Sequence, residues 1–146
     1  MNVYFACSIT GGRQDEEVYR VIVDALLKDG HDVPTAHLAL SEVIYLEKIV
    51  DPVEVYSRDI KWIFNCDALI ADVSTPSHGV GYEVAYALSL GKPVLCCHAE
   101  GLEISKMISG NTNERLKVAA YESPEDAVLN IREFLIKIKQ LDSKNL

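Results

Sequence analysis

Two acidic residues, Glu83 and Asp59, have the types and settings that suit bond-breaking chemistry. Glu83 lies in the stretch DVSTPSHGVGYEVAYALSLG, from Asp72 to Gly91, as the lone carboxylate among Val80, Val84, Ala85 and Ala87. A carboxylate in apolar company is costly to desolvate unless its oxygens are satisfied. Asp59 lies in RDIKW, in a segment with helical spacing. Two such groups from separate elements can flank an acetal carbon, one attacking it while the other protonates the leaving group. The competing reading is structural: a cap, a hydrogen bond, or a salt bridge to Arg58 or Lys61. Tyr4, near the end of the first apolar run, is either a core aromatic or the hydroxyl that orients Glu83.

Two polar, glycine-bearing loops accompany the carboxylates. The first contains Ser8, Ile9, Thr10, Gly11, Gly12 and Arg13, and its glycines let backbone N–H groups approach an anion at a helix start. It has neither the dinucleotide-binding spacing nor a G-K-[ST] sequence, so no cofactor is expected, and the Gly-Gly pair also suits a plain tight turn. The second loop, with Ser77, Gly79 and Gly81, adds a hydroxyl and further backbone donors. His37, His78 and His98 are too scattered for a triad or a metal site; His37 is the best placed, just past the second predicted strand. No metal is expected.

The elements that must position these groups follow from periodicity. Asn2 to Cys7, His31 to Thr35, Ala68 to Asp72, Lys92 to His98 and Leu116 to Tyr121 read as five strands, with Pro34 placing the second at an edge. Helical patterns run from Gln14 to Lys28, from Val53 to Phe64 with Pro52 at the start, from about Gly79 to Gly91, and from the cap Ser123 to about Leu141. Leu102 to Ser109 reads as a short helical or irregular piece; Ala36 to Asp51 has no clear period, and its Leu38, Leu40, Val43, Ile44 and Leu46 suit either a short helix or a cover over a pocket. Strands alternating with helices predict a single α/β domain over residues 1–146. The expected fold is a three-layer, doubly wound, Rossmann-like or flavodoxin-like unit with a mostly parallel five-stranded sheet in the order 2-1-3-4-5. That order opens a crevice between strands 1 and 3, at the carboxyl ends where ligands bind. Tyr4 to Arg13 and Asp72 to Glu83 then face each other.

A formal net charge of -8 argues against a binder of nucleic-acid polymers, whose affinity rests on many phosphate contacts, yet allows one nucleotide-sized anion in a local pocket. No apolar run approaches the roughly 18 residues of a membrane span, so no membrane partner is expected. Cys7, Cys66, Cys96 and Cys97 have no C-x-x-C spacing and read as buried free thiols of a reducing compartment, the cytoplasm.

Taken together, YFACSITGGRQ, Asp59 in RDIKW, ADVSTPSHGVGYE and ISKMISG resemble the 2'-deoxynucleoside 5'-phosphate N-hydrolases, within the nucleoside 2-deoxyribosyltransferase superfamily. The resemblance runs from Asn2 to about Tyr121. It implies a homodimer that cleaves the N-glycosidic bond of deoxynucleoside monophosphates. Glu83 would be the nucleophile on C1', Asp59 the acid for the departing base, and Tyr4 the group holding Glu83. Ser8, Gly11, Gly12, Arg13 and Ser77 would surround the sugar and 5'-phosphate, His37 would belong to the nucleotide pocket, and Ser105 would reach the phosphate from the neighbouring subunit. Thr10 departs from the pattern, because familiar members carry arginine there, and a neutral hydroxyl removes a bidentate phosphate partner. A deoxyribosyltransferase using the same ester, a nucleoside or ribonucleotide N-glycosidase, and a nucleotide-binding module without turnover stand as the alternatives.

Overall fold

A computed structural model describes residues 1–9 and 15–144. Four parallel strands form the sheet: β1 (Val3–Ala6), β2 (Ala68–Asp72), β3 (Val94–Ala99) and β4 (Leu116–Tyr121), side by side in that order. β1 and β2 are buried at every position, as expected of strands covered on both faces. The helices are α1 (Glu16–Lys28), α2 (Val43–Lys48), α3 (Pro52–Asn65), α4 (His78–Ser89), α5 (Lys106–Ser109) and α6 (Pro124–Lys144), with a 3-10 turn at Ala36–Ala39.

Side-chain alternation divides the core into two halves. Val3, Phe5, Ile70, Leu95 and Cys97 pack with Tyr19 and Ile22 of α1 and Ile131 and Leu135 of α6. Tyr4, Ala6, Leu69, Ala71 and Cys96 pack on the opposite face with Ile63 of α3 and Val80, Val84 and Ala87 of α4. The period of two therefore sends Tyr4 toward the two helices that carry Asp59 and Glu83, and a one-residue slip of β1 would put Phe5 there instead.

The expected five-stranded sheet is corrected to four. His31 to Thr35 contributes only one parallel bridge, Asn2 with Asp32, at the open edge of β1. Pro34 has no N–H to give a ladder, and the chain bends at once into the 3-10 turn. The Phe5 N–H donates instead to the buried Thr35 hydroxyl at 3.0 Å.

Helix ends follow their local chemistry. Asp51 accepts from the Val53 N–H at 2.9 Å with Pro52 in the first turn of α3, and Ser123 accepts from the Asp126 N–H at 3.1 Å ahead of α6. α4 closes on Gly91 at φ +70°, where Lys92 N–H reaches the Ala87 carbonyl and Gly91 N–H that of Leu88. In the 102–109 stretch only Lys106–Ser109 is helical, capped by Ser105.

Candidate active site

The segment just past β1, the cap and first turns of α4, the inner face of α3, and Leu38, Glu47 and Val50 from the stretch between β1 and α3 enclose a cavity of about 490 Å³. That volume suits a small organic ligand. Cys7 and Ile9 line it from just past β1, Val55, Asp59 and Ile63 from α3, and Ser77, Gly79, Val80 and Glu83 from α4 and its cap.

Glu83 enters it from the second turn of α4, and the Tyr4 hydroxyl donates to its Oε1 at 2.6 Å. Tyr4 is fully buried. Burial, then the charges of Glu83 and Asp59, push its phenol far above the usual tyrosine range, so it serves as a fixed donor. Burial lifts the Glu83 carboxyl to about 7, with the Asp59 charge adding to the rise while the Tyr4 hydrogen bond and Arg58 oppose it. Glu83 is therefore divided between its charged and neutral forms near neutral pH, with Oε2 making no described hydrogen bond.

Asp59 faces the same cavity from α3, and Arg58 Nε donates to its Oδ1 at 2.8 Å. Burial is the main cause that raises its pKa; the Arg58 bond and charge oppose this, Glu47 adds to the rise, and His37 lowers it. Two carboxyl groups thus meet in one cavity, and each is pushed toward holding a proton.

Of the residues singled out in the first loop, Ser8 is fully buried just past β1 and Ile9 lines the cavity, while Thr10, Gly11, Gly12 and Arg13 lie outside the described residues. Ser77 caps α4, its Oγ accepting from the Val80 N–H at 3.3 Å, and lines the cavity beside Gly79. Gly81 faces a separate groove between α4 and α5. Ser105 lines that groove too, its Oγ accepting from the Met107 N–H, so within one chain it does not meet Glu83. His37 stands at the border of the site on the 3-10 turn, its Nε2 3.1 Å from Glu47 Oε1 and its ring edge-on to Trp62. Among the described residues no cluster of three His, Cys, Asp or Glu side chains fits a metal ion.

Two parts of the site escape sequence reasoning. Glu47, on α2 within the stretch without a clear period, receives the Nη1 and Nη2 atoms of Arg58 at 3.3 Å each. Asp72, buried at the end of β2, accepts from the Tyr121 hydroxyl at 2.8 Å and the Ser74 N–H at 3.0 Å. Ser74 Oγ accepts from the Ala99 N–H at 2.9 Å, and Thr75 donates to Asp15 at 2.9 Å. These bonds pin the β2–α4 loop to β3 and to the start of α1. Only the apolar run ending in an acid, ALIAD, hinted at the first of them.

A parallel sheet flanked by helices, with Glu83 of α4 and Asp59 of α3 facing one cavity, defines a small α/β protein built around a pocket of small-ligand size. The family described as nucleoside 2-deoxyribosyltransferase matches residues 3–124, and the chain belongs to it. It is 40% identical over 124 residues, 85% of this chain and 77% of the other, to a Methanosarcina mazei protein provisionally named 2'-deoxynucleoside 5'-phosphate N-hydrolase 1. It is 37% identical over 137 residues to the 5-hydroxymethyl-dUMP N-hydrolase of Danio rerio, covering 91% of this chain and 94% of that one. In structure it is similar to the Clostridium botulinum CMP N-glycosidase, with a TM-score of 0.68 and 19% identity over 90% of this chain and 99% of that one.

Proposed function

We propose that this protein hydrolyses the N-glycosidic bond of 2'-deoxynucleoside 5'-monophosphates, releasing a free base and 2-deoxyribose 5-phosphate. The observation that carries the reading is the Tyr4-held Glu83 carboxylate sharing one cavity with Asp59. The names of relatives at 37–40% identity support the substrate class.

Because Tyr4 occupies Oε1, Oε2 of ionised Glu83 is the oxygen available for C1'. It forms an ester bond there as the bond from C1' to the base nitrogen breaks, and Asp59 gives its proton to that nitrogen. Water then attacks C1', Asp59 takes the proton back, and the Glu83 carboxylate is released. The reaction needs Glu83 ionised while Asp59 is still protonated; burial raises the pKa of both, the Tyr4 hydrogen bond opposes the rise at Glu83, and Glu47 adds to the rise at Asp59.

In this reading Ser8, Arg13 and Ser77 with backbone donors hold the 5'-phosphate despite the neutral Thr10. Ser105 completes that site from a second copy in a homodimer. Its position on a groove apart from Glu83, next to Met107 at 82% exposure, supports a role across an interface. Base transfer is the second reading, favoured by the description of the family.

The test is to incubate deoxynucleoside monophosphates with an excess of a different base and to quantify products. Free base and 2-deoxyribose 5-phosphate are expected, with kcat/KM at least about tenfold above that of the unphosphorylated nucleoside, or roughly 1.4 kcal/mol. New nucleotide as the main product would assign transfer instead. Saturable binding without any turnover would overturn both readings.

A further inference from the structure

We propose that Glu47 is a positioning residue for Asp59: it holds and neutralises the Arg58 guanidinium, so that Asp59 is fixed through one oxygen and keeps the other free to deliver a proton. The inference rests on the acid role given to Asp59 above and adds a residue which that role does not itself require.

The geometry is unusual for a helix. Arg58 and Asp59 are consecutive on α3, and neighbours at i and i+1 point well apart around the axis rather than toward each other. Their 2.8 Å bond exists because Arg58 is folded back and gripped from outside its own turn. Glu47 takes its two terminal nitrogens, one on each carboxylate oxygen at 3.3 Å. Trp62, one turn further along α3, lies under the guanidinium with Cζ 4.9 Å from the ring centroid. His37 closes the far side, 3.1 Å from Glu47 Oε1. Glu47 is the most enclosed of the ionic set, its side chain 13% exposed against 17% for Asp59 and 23% for Arg58. A fork-to-fork pair of this kind fixes direction as well as charge.

The electrostatic consequence follows from counting. Arg58 is charged at every relevant pH. Were Asp59 its only anion, the pair would hold Asp59 ionised, which is the wrong state for an acid. With Glu47 present the guanidinium is already neutralised, and protonating Asp59 brings the three groups to zero net charge. The other titratable groups facing Asp59 are Glu83 on α4, Tyr4 on β1 and His37 on the 3-10 turn. Protonation is directed to Oδ2, since Oδ1 already accepts from Arg58 and Oδ2 makes no described hydrogen bond.

The test follows the Asp59 carboxyl directly by ¹³C NMR titration in the parent, Glu47→Gln, Arg58→Gln and the double variant, alongside kinetics. Glu47→Gln should move the Asp59 titration to lower pH, Arg58→Gln should move it to higher pH, and the double variant should return toward the parent. At about pH 7, Glu47→Gln should lower kcat about tenfold or more for a natural base, with KM within about twofold, and change it little for a leaving group that needs no proton. The descending limb of the pH profile should move the same way as the titration. An Asp59 titration unmoved by either substitution would overturn the proposal, as would equal losses for both kinds of leaving group. The NMR arm reads the proposal even if the parent turns over no nucleotide, so its failure is distinct from failure of the hydrolase reading.

Discussion

Glu83 sits where a charge is expensive, and that expense is measurable as stability. Burial lifts its pKa from 4.5 to about 7, so the folded chain holds this proton more tightly than the unfolded chain does. The resulting stabilisation is complete below about pH 4.5 and is lost as pH rises through about 7; it amounts to at most about 3 kcal/mol, less with solvent screening. Glu83→Gln is neutral at every pH and keeps an acceptor for Tyr4. We therefore expect it to be more stable than the parent at pH 8 in urea unfolding, with the gap closing toward pH 4.5, while the hydrolase activity is lost. A variant less stable than the parent at pH 8 would mark Glu83 as a structural carboxylate. The residues alone left Tyr4 open between a core aromatic and the hydroxyl that orients Glu83, and the pairing was implied by the family resemblance; the hydrogen bond between them is present. A salt bridge to Arg58 was offered by the sequence only as the competing structural role of the carboxylates, and Asp59 makes that bridge; the grip of Glu47 on the same guanidinium, from another helix, left no local pattern.

At the scale of elements, legibility follows the strength of local signals. Pro52 after the cap Asp51, Ser123 before Pro124, and Gly91 at positive φ fixed α3, α6 and the end of α4 closely. The predicted second strand, short and assigned to an edge on account of Pro34, keeps only one bridge because Pro34 withdraws a backbone donor just where the chain turns. α2 was offered only as a possible short helix without bounds: six residues carry too few turns to show a period, and most of its apolar side chains, including Ile44, Tyr45 and Leu46, stay exposed. Yet α2 delivers Glu47 to the site. Ile9 and the pair Ser77 and Gly79 line one cavity, and the bonds that pin the β2–α4 loop, Asp72 to Tyr121 and Thr75 to Asp15, join residues 49 and 60 positions apart. Pairings at such separation leave no local trace.

At the scale of the whole molecule, the proposed dimer gives the site two owners. If Ser105 serves a second copy, Ser105→Ala and Glu83→Gln each damage a different half of every site. Mixing the two inactive variants and allowing subunits to exchange should then restore about a quarter of the parent sites, since half the dimers are mixed and each mixed dimer has one intact site. Sedimentation should show a dimer under the same conditions; a fully active monomer, or no recovery despite exchange, would contradict the shared site. With a net charge of -8, the proposed phosphate site has to be a local one, not the general surface. All of this serves one proposed bond, from Glu83 to C1'. The most direct measurement is to trap the enzyme with a 2-deoxy-2-fluoro nucleotide, whose fluorine slows departure of the sugar, and to map the labelled peptide by mass. We expect the sugar phosphate on Glu83; a label on Asp59 would contradict the assignment.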